Sequence, residues 1–323
     1  MSGPTSPHFR IVPVADGVWG AVATDEGFGL CNSGIVDLGD VTVVFDSMLT
    51  PQAGADLRAA AERLTGHPVG YLVNSHWHGD HVRGNISFPS VRIVSTRTVR
   101  ELIETRAVTA LESERESVPS ELAAIRAPGA TLPTRDRTVF EGWFEGILAT
   151  PKGTVIPAPD LLVEGELVLR GPRREVRVVT FGGGHSPSDV LAYVPDLRVG
   201  FLGDLLAIGF HPSVTDGIAA AWVRILDSVR GLPIERILPG HGPLGGLREV
   251  GEMQEYLRTL GRLAAAAPRT PEGRRALAAT EVPERFGSWT FRPFFLENLL
   301  SVYDKLGAGT APVATGSSAP GGP

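Results

Sequence analysis

At 323 residues, 42% of them hydrophobic, the chain can bury a sizeable core as one large unit or two smaller ones. A net charge of −6, from 30 basic and 36 acidic side chains, leaves no electrostatic footprint for nucleic acid or an anionic membrane. The one cysteine, Cys31, excludes an internal disulfide, fits a reducing compartment, and reads as a packed small residue. The opening residues lack a basic stretch followed by an apolar one, and no window approaches 18 apolar residues. A secretory signal and a membrane span are therefore not expected, and the expected location is cytoplasmic.

In chain order, residues 18–22, 33–36 and 41–45 predict a strand meander ending at Asp46. Thr50 and Pro51 form an N-cap and first-turn pair. Leu57, Ala60, Ala61 and Leu64 then mark a helical face that ends at Gly66. Residues 69–73 predict a buried strand, and 91–94 another. Residues 97–160 interrupt the alternation. Val99, Leu102, Ile103, Ala107, Ala110 and Leu111 keep helical spacing, Pro119 is expected to begin a new helix, and a Pro-rich stretch carrying Trp143 and Phe144 follows. Residues 161–170, 176–180, 190–194 and 199–202 form a second strand-rich block. Ile218, Trp222, Ile225, Leu226 and Val229 then line an amphipathic helix before a short strand at 237–238. Residues 246–306 read as helical, and the small, polar stretch 307–323 as a disordered tail. Two β-rich halves covered by helices predict an α/β fold, a four-layer αββα sandwich over residues 1–306.

Between the strand at 69–73 and the next, the chain reads Ser75-His-Trp-His-Gly-Asp-His81. Of eight histidines, three fall in these positions. Imidazole nitrogen and carboxylate oxygen are ligand atoms that suit zinc, and also iron or manganese. Neither a regular strand nor a helix can aim His76, His78, Asp80 and His81 at one point, whereas a tight loop at a strand end can. His185, Asp204 and His241 repeat one local grammar: an apolar run, glycines that let the backbone turn, then a single polar side chain. Asp46 reads by itself as an aspartate capping the turn before Thr50.

The order H-x-H-x-D-H, His, Asp, His resembles the metallo-β-lactamase fold superfamily, in its binuclear hydrolase branch with a glyoxalase II-like or lactonase-like ligand set. The resemblance runs over roughly residues 10–306. It implies two divalent metal ions, Zn2+ first and Fe or Mn next. His76, His78 and His185 would hold one and Asp80, His81 and His241 the other, with Asp204 bridging. For Asp46 it implies a second reading, a carboxylate that orients a ligand. It also implies that 97–160 is a lid carrying Trp143 and Phe144 toward substrate. His211, just past Asp204, is the one further histidine within reach of substrate.

The function so implied is hydrolysis of a small or medium acyl compound (thioester, lactone, ester or amide). A hydroxide shared by the two metals would attack the carbonyl, and Asp80 would orient it or carry its proton. The partner expected is that small-molecule substrate, with no nucleic acid and no membrane, and with room for a homo-oligomer. A phosphodiesterase on the same site, or a non-catalytic metal-binding protein reusing the fold, are the alternatives.

Overall fold

The computed structural model describes residues 6–307. The tail expected to be disordered lies outside the described residues from 308 on, and Gly307 itself ends a helix. A seven-stranded sheet runs in the order β1 (Phe9–Ala15), β2 (Val18–Ala23), β3 (Ser33–Asp37), β4 (Thr42–Phe45), β5 (Val69–Val73), β6 (Arg92–Ser95) and β7 (Leu161–Leu162). It is antiparallel from β1 to β4 and parallel from β4 to β7. A five-stranded sheet holds β8 (Glu166–Arg170), β9 (Glu175–Gly182), β10 (Asp189–Val194), β11 (Val199–Phe201) and β12 (Arg236–Leu238). Only its β11–β12 pair is parallel.

Successive strand side chains point to opposite faces, and both faces of these strands are apolar. On β4, Val43 and Phe45 join the core between the sheets, while Val44 packs under a helix. On β10, Val190, Ala192 and Val194 enter the inter-sheet core, while Leu191 and Tyr193 face the opposite helical layer. Helix α1 (Pro51–Thr65) covers the first sheet through Ala53, Leu57, Ala60 and Ala61. Its Thr50 cap accepts from Ala53 N at 3.1 Å, and Gly66 closes it in the left-handed conformation. The short helices α2 (Gly79–Val82) and α3 (Arg97–Leu102) flank β6 in sequence. The second sheet is covered by α6 (Ala219–Val229) and α7 (Leu247–Ala266), with α8 (Pro271–Ala278) and α9 (Phe294–Gly307) beyond. The αββα sandwich expected from the sequence is the fold observed.

Three details of the chain differ from expectation. Pro119 does not begin a helix but sits inside α4 (Val108–Arg126). Its ring is exposed there, and because it has no N–H it leaves one carbonyl of the preceding turn without its helical partner. Trp143 and Phe144 lie on a further helix, α5 (Thr134–Ala149), that burial of Val139, Phe140, Phe144 and Ile147 holds in place. Residues 161–170 are two strands in different sheets, separated by a turn in which Gly165 has φ +86°. The insert helices α4 and α5 share a core with the C-terminal helices, where the Phe140 ring lies 4.9 Å from Phe291. Among the described residues no helix is long and apolar enough to cross a membrane.

The sheets pack tightly at Gly34 of β3, where a methyl group would overlap the Phe201 ring of β11. Gly34→Ala should therefore lower unfolding stability by about 1–3 kcal/mol through overpacking. Denaturant unfolding with an unchanged midpoint would contradict this packing of the two sheets.

Candidate metal centre

The polar side chains singled out in the sequence all follow strand ends on one edge of the sandwich. Asp46 follows β4, His76 to His81 follow β5, His185 lies between β9 and β10, Asp204 follows β11 and His241 follows β12. Parallel pairing of β4 with β5 and of β11 with β12 brings Asp46 beside Ser75 and Gly203 beside Gly240. Two glycines make the convergence fit. Gly203, at φ +51°, lies against the Ser75 side chain, and a Cβ on Gly240 would strike the Asp204 carboxylate.

Seven side chains converge. Ring nitrogens of His76, His78 and His185 lie within 4.8 Å of one another, as do the ligand atoms of Asp80, His81 and His241 and those of His76, His81 and Asp204. Asp204 stands between the sets. Its Oδ1 is 3.2 Å from His81 Nε2 and 3.3 Å from His241 Nε2, and its Oδ2 is 3.5 Å from His185 Nε2. Asp80 Oδ2 lies 3.4 Å from His81 Nε2 and 3.3 Å from His241 Nε2.

Most of these rings are held from behind. His81 Nδ1 donates to Asp46 Oδ2 at 2.8 Å, and Asp46 also accepts from Ser75 N at 2.7 Å and Ser75 Oγ at 2.8 Å. Asp46 is fully buried and at φ +60°, a backbone conformation an aspartate tolerates only at some cost. It holds the His81 ring, and the cap of α1 belongs to Thr50. His76 Nδ1 meets Ser75 Oγ at 2.9 Å, and His241 Nδ1 donates to Leu30 O at 3.2 Å. His78 Nε2 lies 3.2 Å from Asp216 Oδ2, which also accepts from Trp77 Nε1 at 2.6 Å. The loop carrying His185 is wound about Asp189, which accepts from the backbone of Gly184, His185 and Ser186 at 2.7, 2.9 and 3.1 Å. Carbonyl and carboxylate partners of this kind fix which imidazole nitrogen faces inward.

His185 Nε2 and His78 Nδ1 meet at 3.0 Å, but three other inward atoms are orphans. His76 Nε2, His81 Nε2 and Asp204 Oδ1 are buried without a hydrogen-bond partner. Buried polar groups are ordinarily paired, so a cluster of unpaired lone-pair atoms on nitrogen and oxygen fits a cation between them. The electrostatics agree. Burial pushes His185 down to about 3, and burial with neighbouring imidazoles drives His76 well below the ordinary range, so both are neutral donors. Burial opposes ionisation of Asp204, yet His241, His81 and His185 pull it well below the usual carboxylate range. Burial would lower His241 too, but Asp204 and Asp80 push it up to about 10. The carboxylates demand positive charge here, and protons and metal ions compete to supply it.

The cluster opens on a cavity of about 240 Å³, lined at its base by His78, Asp80, His185, Asp204 and His241. Trp77, Trp143, Phe210, Phe291 and Phe294 supply aromatic walls. Trp143 thus reaches the cavity, whereas Phe144 packs behind it, ring centroids 5.5 Å apart. His211 borders the cavity, but its ring is fully buried among Tyr256, Trp289 and Phe295. Three residues at the site carried no sequence signal: Asp216 in a plain turn, Glu114 on α4, and Arg83 just past the ligand run.

A profile of the metallo-β-lactamase superfamily matches residues 27–241, which span the cluster from the β3 approach to the last histidine. The chain belongs to the metallo-β-lactamase superfamily. Solved structures of similar fold include a metallo-β-lactamase from Pontibacter korlensis, 16% identical at a TM-score of 0.55, covering 77% of this chain and 99% of its own. Another is a metallo-β-lactamase from Erythrobacter litoralis with β-mercaptoethanol in its active site, 17% identical at 0.55, covering 79% of this chain and 98% of its own. Such distant likeness carries the fold. The superfamily and its His/Asp groups make a metal-dependent hydrolase the coarse reading of this chain.

The outer carboxylates can be tested separately from the ligands. Asp46→Asn and Asp216→Asn preserve shape but remove the anion behind His81 and His78. Each should weaken metal retention by about 10–100-fold in chelator competition while circular dichroism stays native. Metal affinity equal to the wild type in both variants would mean that these contacts do not tune the site.

Proposed function

We propose that the chain hydrolyses a small or medium acyl substrate (thioester, lactone, ester or amide) with two divalent cations, Zn2+ first and Fe or Mn as alternatives. The observation that carries the reading is Asp204, whose two oxygens face different histidine sets, as a residue shared between two cations would. His76, His78 and His185 would hold one cation and Asp80, His81 and His241 the other, with Asp204 common to both. Bound there, divalent cations supply Lewis acidity and bring the pKa of water towards neutrality.

The chain's own residues account for the rest. Asp80 lines the cavity and keeps its side chain 17% exposed, so it can orient a water or hold its proton. Asp46, Ser75 and Asp216 keep the rings from turning, and Asp189 fixes the His185 loop. Trp77, Trp143, Phe210 and Phe291 take the apolar body of the substrate and exclude bulk water. Phe144 supports Trp143, and His211 supports the wall beside Phe210. A phosphodiester would ask for several cationic side chains along the cavity, and among the described residues Arg83, already paired with Glu114, is the one Lys or Arg lining it. We infer further a cytoplasmic location, a small molecule as partner and room for a homo-oligomer.

The test is a hydrolysis screen of the metal-loaded protein across thioesters, lactones, esters, β-lactams and phosphodiesters, beside Asp204→Ala. An acyl compound should be turned over fastest. The variant should lose more than ~100-fold in rate, beyond the scale of an outer-contact change, with a native circular dichroism spectrum. Preference for a phosphodiester, or full activity in the variant, contradicts the proposal.

A further inference from the structure

Arg83 follows the ligand run and is only 2% exposed, among the largest fully buried side chains of the protein. Its guanidinium lies against Gly79, between His78 and Asp80, so closely that a Cβ on Gly79 would collide with it. Nη2 donates to both carboxylate oxygens of Glu114, at 2.8 Å each. Those are the only hydrogen bonds of this side chain among the described residues, and Nε is buried without a partner. A guanidinium offers five N–H donors, and here those on Nε and Nη1 have no protein partner, which is costly for the buried Nε. Arg83 and Glu114 both line the cavity that opens on the metal ligands. The partners differ in freedom: the Glu114 side chain is 37% exposed and can swing to water, whereas Arg83 is 2% exposed and cannot.

We propose that Arg83 selects substrates bearing a carboxylate, which takes up donors that Glu114 leaves free or displaces Glu114 from Nη2. This rests on the acyl hydrolase reading and narrows it: the substrate class is a half-ester or half-thioester of a dicarboxylic acid, with an apolar body against Trp77 and Trp143. Carboxylate is the acceptor that a guanidinium matches best in charge and in planar geometry. The carbonyl to be cleaved then lies at the metal ligands and the free carboxylate on the cavity side of the Arg83 guanidinium. Glu114 acts as a placeholder, keeping the buried cation paired until substrate arrives.

The probes are 3-phenylpropanoate and 3-phenylpropanamide, matched in shape and differing in charge, with binding to the metal-loaded protein read by calorimetry. Metal content of every variant is checked first, so that carboxylate binding to the cations is common to all. The wild type should prefer the carboxylate. Arg83→Gln should reduce that preference by at least ~10-fold, and Glu114→Gln, which removes the competing anion, should increase it. The opposite signs matter, because a merely structural ion pair would make both changes act in the same direction. Should Arg83→Gln fail to fold, Glu114→Gln alone carries the test. A preference unchanged within about twofold, or falling, in Glu114→Gln overturns the proposal. Binding is read without turnover, so a failure here is distinct from a failure of the hydrolysis screen, which 4-nitrophenyl hemiglutarate against 4-nitrophenyl pentanoate extends to charged substrates.

Discussion

A carboxylate enclosed by imidazoles is the constraint on which the rest of this structure depends. Asp204 is 7% exposed, faces His81, His185 and His241, and has one oxygen with no hydrogen-bond partner. Burying an anion is expensive unless positive charge is supplied within contact distance. The surrounding backbone is shaped to allow that contact. Gly203 adopts a left-handed turn against Ser75, Gly240 leaves room for the carboxylate itself, and Asp46 accepts a strained backbone to sit behind His81. Structure that would otherwise be destabilising is concentrated at one edge of the sandwich, which is how a site that binds a cation differs from one that only packs.

The second layer connects this edge to the helical cover. Asp216, which holds His78 and Trp77, lies on a loop whose carbonyls at Val214, Thr215 and Gly217 accept from Lys305 Nζ on α9. Asn298 of the same helix accepts from Val214 N and donates to Pro212 O and Tyr256 OH. The C-terminal helices thus set the position of the residue that holds His78. The insert reaches the same edge from the other side, through Trp143 and Phe140 against Phe291 and through Glu114 to Arg83. Sheet ends supply the chemistry, and helices that follow them in sequence fix its walls.

What could be read from the chain follows this division. Ligands presented by strand-end loops have a local signature, because apolar run, glycine turn and polar side chain are contiguous, and the cluster of His76, His78, Asp80 and His81 is denser than composition allows by chance. The helix from Pro51 was legible from its cap and its closing glycine, both local features. The residues that escaped are those whose role is set by distant partners. Asp216 is an ordinary turn aspartate until folding brings it to His78, 138 positions away in sequence. The ion pair of Arg83 with Glu114 spans 31 positions and two elements. Helix α5 was hidden because the prolines that flank it, Pro133 and Pro151, suggest irregular chain, while its formation depends on burial against residues near 291. His211 reads from its place after Asp204 as within reach of substrate, yet its ring is packed into the aromatic cluster of the C-terminal helices.

The claim at the centre is that these seven side chains form one centre with two cation positions. Metal stoichiometry tests it most directly: the purified protein, loaded in turn with zinc, manganese and iron and freed of excess, is measured by elemental analysis against protein concentration. The two ligand sets sharing Asp204 predict close to two bound metals per chain, as in two-metal hydrolytic sites generally. Saturation at about one with every metal tried would contradict it.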